Sequence, residues 1–168
     1  MSHQLTVKTI ITFDPLMTDR VDPFFHQPMP LNYAGLEWEN GGLMAKSCAS
    51  RLYRNTGFNV AFQGDVSCVV FNYSGAPMKI RSKVDRFSII SFEATCAFQK
   101  VLMLAVIGRR SQVITEQKSF ILSYEKLSNF DLQWNNIDEL EFITSGGDQL
   151  PHCTDTDMHF VLTRLNLA

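Results

Sequence analysis

The chain has 168 residues, 45% of them apolar and 19% charged, and a formal net charge of -2. That length suits a single domain, residues 1–168, with one sizeable core, and the composition excludes a disordered chain. The balanced charge offers neither the basic stripe expected of a nucleic-acid binder nor a polybasic patch for lipid headgroups.

The opening MSHQLTVKTI has no apolar run like that of a secretory leader, which leaves two expectations open: an intracellular protein, or one whose leader has been removed. Leu5 to Phe13 reads as a first strand, stopped by Asp14-Pro15. Residues 18–32 form a loop in which Pro23, Pro28 and Pro30 exclude a central strand or a long helix. Tyr33 to Trp38 resumes apolar character before the turn signal Asn40-Gly41-Gly42, and Leu43 to Ala45 is a short strand. Lys46 to Gly57 reads as polar and irregular, and Phe58 to Phe62 as another strand piece.

Val66 to Tyr73, Met78 to Arg81, Val84 to Phe98, Lys100 to Gly108 and Gln112 to Leu122 follow as strands, the last two joined by a hairpin loop at Arg109-Arg110-Ser111. The most apolar run, Val101 to Ile107, falls well short of the roughly 20 residues that cross a membrane, so it reads as a buried strand. In Leu127 to Gly147, Phe130, Leu132 and Trp134 alternate with polar residues; Asn135-Asn136 breaks the run, and Ile137 to Ile143 supplies a second apolar segment. The expectation is two neighbouring antiparallel strands. A polar loop, Asp148 to Thr156, leads to a last strand, Met158 to Leu167. The sum is an all-β chain of about ten short strands, an antiparallel β-sandwich with Trp38 and Trp134 in its core and no convincing helix.

The four cysteines show no CxxC and permit three complete pairings. Cys96, in an apolar strand, reads as a buried thiol, while Cys48 and Cys68 sit beside polar residues and are the candidate pair. Asn72-Tyr73-Ser74 is a lone glycosylation sequon, too short to fix a compartment. Asp148, His152, Cys153, Asp155, Asp157 and His159 crowd together and could hold a cation, yet match neither HExxH nor an EF-hand loop; a solvated acidic loop explains them equally. With no GxSxG, phosphate loop or HExxH, the expectation is a protein that is not an enzyme.

Aromatic residues in loops are the better lead. Phe24, Phe25 and His26 lie in the Pro-rich loop; Arg51, Tyr53 and Arg54 lie in the irregular stretch after Cys48. Aromatic faces stack on the C–H faces of sugars while polar side chains meet the hydroxyls. Phe24, His26, Arg51, Tyr53 and Arg54 are therefore the candidate ligand-binding residues.

Several stretches, in order, match a known pattern: Thr12-Phe13-Asp14; Tyr33 to Trp38; Asn59 to Phe62; Phe87 to Phe98; Val106 to Gly108; Leu132 to Trp134 with Ile137 to Phe142; and His159 to Leu167. Through them the chain resembles the jelly-roll β-sandwich domains of secreted bacterial proteins with a PEP-CTERM sorting tail and of related fungal proteins. The resemblance implies a jelly roll similar to galactose-binding-like carbohydrate modules. In several of those, Ca²⁺ links the first and last strands through acidic residues. Asp14 matches one such ligand, but Pro15 and Thr163 stand where the family has Asp, and losing two charged ligands weakens a hard-cation site. The sorting tail has no counterpart in this sequence.

The expected function is thus a non-catalytic carbohydrate-binding or adhesion module with no resident cofactor. The alternative is a protein-interaction or structural domain, oligomeric and without a sugar ligand. In either case the partner is a glycan or a protein surface, with no nucleic acid and no membrane insertion.

Overall fold

A computed structural model of the chain describes residues 4–17 and 26–168. Its elements run β1 (Thr9–Ile11), β2 (Gln27–Pro28), β3 (Asn32–Tyr33), β4 (Leu36–Glu39), β5 (Gly41–Ala45), α1 (Lys46–Leu52), α2 (Phe58–Ala61) and β6 (Cys68–Asn72). Then come β7 (Met78–Arg81), β8 (Phe87–Cys96), β9 (Val101–Arg110), β10 (Val113–Ser123), β11 (Ser128–Ile137), β12 (Glu139–Ser145) and β13 (Phe160–Leu167). No helix among the described residues is long and apolar enough to cross a membrane.

The strands form two antiparallel sheets packed as a sandwich. One runs β11-β8-β13-β6-β5-β2, with β1 also pairing β13; the other runs β10-β9-β12-β7-β4-β3. Within β6–β13 the first strand lies beside the last, and the second beside the next to last. That nesting of hairpins is the jelly-roll connection. Phe92, Phe142 and Phe160 fill the space between the sheets, with Phe142 edge-on to Phe92 at 5.3 Å and stacked on Phe160 at 5.1 Å. Trp38 (2% exposed) and Trp134 (6%) are core, as their strand positions imply.

The sandwich has thirteen strands among the described residues rather than about ten. The difference includes two-residue pieces such as β2 and β3, which add to sheet edges where Pro28 costs no ladder bond. The Asn135-Asn136 break lies inside β11, where Asn136 takes a φ of +59° in a bulged stretch. β11 and β12 are not neighbours: β11 pairs β8 in one sheet, β12 pairs β7 and β9 in the other. Between β9 and β10, Ser111 and Gln112 both have positive φ, the backbone of a tight hairpin turn, at the site the sequence marks.

Two short helices replace expected irregular or extended chain. α1 buries Cys48 and Ala49, small enough to let a helix lie close; α2 takes up Phe58 to Ala61, where a strand was expected. Tertiary contact decides here. The Gly57 amide donates to the Ala97 carbonyl at 2.8 Å, so α2 starts pressed against the chain just past β8. None of the four cysteines is in a disulfide; Cys48 and Cys68, the candidate pair, are each buried as thiols. Burial pushes the Cys96 thiol up to about 12, which keeps it protonated.

A Cβ on Gly57 would come 1.6 Å from the Cys96 carbonyl oxygen, a backbone atom that cannot swing aside. Gly57→Ala is expected to cost about 3 kcal/mol or more in urea unfolding, with α2 displaced.

A candidate ligand pocket on the outer face

Along β6 the side chains alternate. Val70 lies with Met78 of the other sheet around Gly41, which marks the interior side; Phe71, one residue on, turns to the outer face. Its ring crosses the backbone of β5 at Gly42, where a Cβ would meet it at 2.5 Å, so only glycine lets the ring lie flat there. Phe71 then gathers the surroundings: Tyr73 stacks on it at 5.9 Å, while His26 (5.9 Å) and His159 (5.1 Å) approach edge-on. Tyr53, just past α1, packs on Phe58 and Phe98.

These rings line a pocket of about 120 Å³, completed by Asp155 and Asp157 from the loop before β13. A second pocket of about 120 Å³ shares Tyr53, Phe98 and Asp155 and adds Arg54 and His152. Burial, reinforced by the neighbouring Cys48 and Asp155, pushes the Tyr53 phenol above its ordinary value, so it stays a neutral O–H.

The pocket floor is fixed by Asn72, fully buried at the end of β6. Its side-chain amide donates to the carbonyls of Ala76 and Met158 and to Thr144 Oγ1, and its Oδ1 accepts from the Phe160 amide at 2.8 Å. The sequon asparagine is thus built into the interior and offers no nitrogen to a glycan. The Asn72 carbonyl lies 2.7 Å from His159 Nδ1. A carbonyl only accepts, so Nδ1 carries the proton and Nε2 is turned to the pocket.

Of the sequence candidates, His26 and Tyr53 come together in the first pocket, although 27 residues apart in the chain. Arg54 lines the second and donates through Nε to the Ser50 carbonyl at 2.8 Å. Arg51 is exposed in the last turn of α1 and lines neither. Phe24 lies outside the described residues. Asp14 sits far from any such cluster in role: its Oδ1 accepts from the amides of Ser67 and Cys68 and from Ser67 Oγ, capping the start of β6. Thr163, at the other acidic position of the resemblance, donates to Glu93 Oε1 at 2.6 Å. Phe71 and Tyr73 escaped sequence reasoning because they read as strand; the phase of Phe71 against Val70 was the available signal.

No family model matches the chain, and no curated protein matches it. Among solved structures, a DUF4465 family protein from Bacteroides caccae aligns with a TM-score of 0.64 at 12% identity, covering 96% of this chain and all of that one. A DUF4465 family protein from Bacteroides ovatus aligns with a TM-score of 0.53 at 11% identity, covering 97% of this chain and 95% of that one. At such identity the likeness shows the sandwich fold alone. It does not carry the sorting-tail or galactose-binding-like assignment.

The outer side of the six-stranded sheet is different in kind. Glu37, Arg81, Glu139 and Arg109 lie in one cross-strand row, alternating in sign over four strands. Glu139 accepts from Arg81 Nε and Arg109 at 2.7 Å each, and Glu141 meets Arg109 at 3.1 Å and Lys79 at 3.6 Å. A shallow depression of about 600 Å³ lies over this row, but its charges are spent on one another.

Burial alone would raise the Glu139 carboxyl; the Arg81 and Arg109 hydrogen bonds outweigh it and hold the group below its ordinary value. A depressed acid stabilises the fold above its unfolded value and loses that contribution as pH falls through the folded one. Between about pH 5 and pH 3, the fall in the wild-type melting temperature is expected to exceed that of Glu139→Gln.

Proposed function

We propose that the chain is a non-catalytic carbohydrate-binding module whose ligand sits in the pocket between Tyr53 and Tyr73. The observation that carries this reading is the convergence of rings from separate segments, Tyr53 and Tyr73 partly exposed and His26 exposed among them, around two carboxylates, Asp155 and Asp157. Rings cover the apolar face of a sugar; carboxylates and a neutral phenol accept and donate to its hydroxyls. The non-catalytic part is supported by His159. Its Nδ1 is taken by a main-chain carbonyl rather than a carboxylate, and no Ser or Cys hydrogen-bonds its Nε2 among the described residues. That is not the wiring of a nucleophile and its base.

A glycan array read with wild type, Tyr53→Ala and Tyr73→Ala tests it. Each truncation is expected to cost about 2 kcal/mol, roughly thirtyfold in affinity for the best ligand. No binding across a broad array, or unchanged binding in both variants, rejects the assignment.

A second reading, self-association, is favoured by one edge. β10 ends its sheet, and Val113 (64% exposed), Ile114 (51%) and Ile121 (67%) stand bare on it. Such an edge invites another strand, and a lysine is the usual guard. Here the strand is self-complementary: an antiparallel copy centred on Gln117 sets Glu116 opposite Lys118 twice and brings Val113 alongside Ile121. Sedimentation velocity should show a dimer that Lys118→Glu dissolves by facing Glu against Glu, and that Glu116→Lys in the same chain restores. A monomer at all concentrations, or a dimer indifferent to the charge swap, removes this reading.

A further inference from the structure

We propose that Asp155, Asp157 and His159 form a site for one divalent transition-metal ion of the zinc class, at the floor of the aromatic pocket. The three residues occupy alternate positions of one segment, and their donor atoms all lie within 4.8 Å of one another. A group of carboxylates alone would be an ordinary acidic loop. His159 makes the difference, because it is buried (6% exposed) and not part of the solvated loop surface.

Its ring is held from behind. With Nδ1–H committed to the Asn72 carbonyl at 2.7 Å, the remaining nitrogen lines the pocket and takes no hydrogen bond among the described residues. Asp157 Oδ2 faces it at 3.6 Å, beyond hydrogen-bond reach. A histidine oriented through one nitrogen by a main-chain carbonyl, presenting the other to carboxylates, is how protein metal sites fix their imidazole ligands. Donors bound to zinc at about 2.0–2.2 Å stand roughly 3.3 Å apart in a tetrahedron, so the Asp157–His159 pair needs a shift of a few tenths of an ångström.

Donor chemistry sets the metal class. One imidazole and two carboxylates suit zinc and its transition-metal neighbours, whereas Ca²⁺ asks for six to eight oxygens. Three protein ligands leave a fourth coordination position open, for water or a ligand hydroxyl. The site stands on its own residues and does not depend on the sugar reading.

Calorimetric titration of the intact chain with Zn²⁺, and the visible absorption of Co²⁺ added in its place, test the site without any sugar. One ion per chain is expected, with no comparable heat from Ca²⁺. Asp157→Asn and Asp155→Asn should each weaken Zn²⁺ by about tenfold or more. Both side chains lie in a surface loop, so these variants keep the test independent of any folding defect in His159→Gln. Asp157 lines the first pocket and not the second, so its variant also separates this site from Zn²⁺ held by Cys153 and His152. No saturable binding, or binding unchanged in Asp157→Asn, overturns the proposal. Glycan binding that survives while Zn²⁺ binding fails would leave the carbohydrate reading standing and remove this one.

Discussion

The carboxamide of Asn72 is the tie on which the pocket depends. It is fully buried, yet every one of its polar atoms has a partner, drawn from the turn after β6, from β12 in the other sheet and from the entry to β13. Thr144 closes the network by donating to the Met158 carbonyl at 2.7 Å. An unpaired amide in this interior costs more than any one of these bonds contributes, so the arrangement holds as a set. That set fixes where β13 begins, and thereby where His159 points. The chemistry of the outer face is decided by a residue that never touches it.

The two outer faces manage their exposure in opposite ways. The six-stranded sheet has charged rows whose members neutralise each other, which leaves little capacity for a ligand. The seven-stranded sheet is partly covered by α1 and α2, and Phe58 of α2 packs against Phe71 and Phe98. Where that cover stops, aromatic rings and carboxylates meet without cancelling. The aromatic pocket therefore lies at the rim of the helical cover, between Tyr53 on one side and Tyr73 on the other.

Much of this was legible in period-two alternation. Phe130, Leu132 and Trp134 belong to one strand as the spacing implies, and the glycine-free run to Phe98 holds the ten-residue β8. What the pattern could not carry is which sheet a strand joins. Asn135-Asn136 looks like a hairpin turn, but the chain crosses to the opposite sheet after Ile137, because nested hairpins separate strands that are adjacent in sequence. Phe58 to Ala61 is apolar and short, a length at which helix and strand look alike. Gly57 meeting the Ala97 carbonyl decides the matter, through a contact 40 residues away in the chain. The loop aromatics His26 and Tyr53 could be picked out singly; their meeting required β2 to pair with β5, whose end leads through α1 to Tyr53.

The same separation explains why resemblance of sequence reaches the fold and stops short of the ligand. The stretches that carried the jelly-roll expectation contribute Phe13, Trp38, Phe92, Trp134, Phe142 and Phe160, all buried and most of them between the sheets. Those positions answer to packing, which tolerates wide change in everything else, and a solved structure at 12% identity still aligns over 96% of this chain. Of the pocket's polar and aromatic lining, His26, Tyr53, Tyr73, Asp155 and Asp157 all fall outside those stretches. Phe98 and His159 are inside them, and His159 is the residue that the interior itself orients, through Asn72.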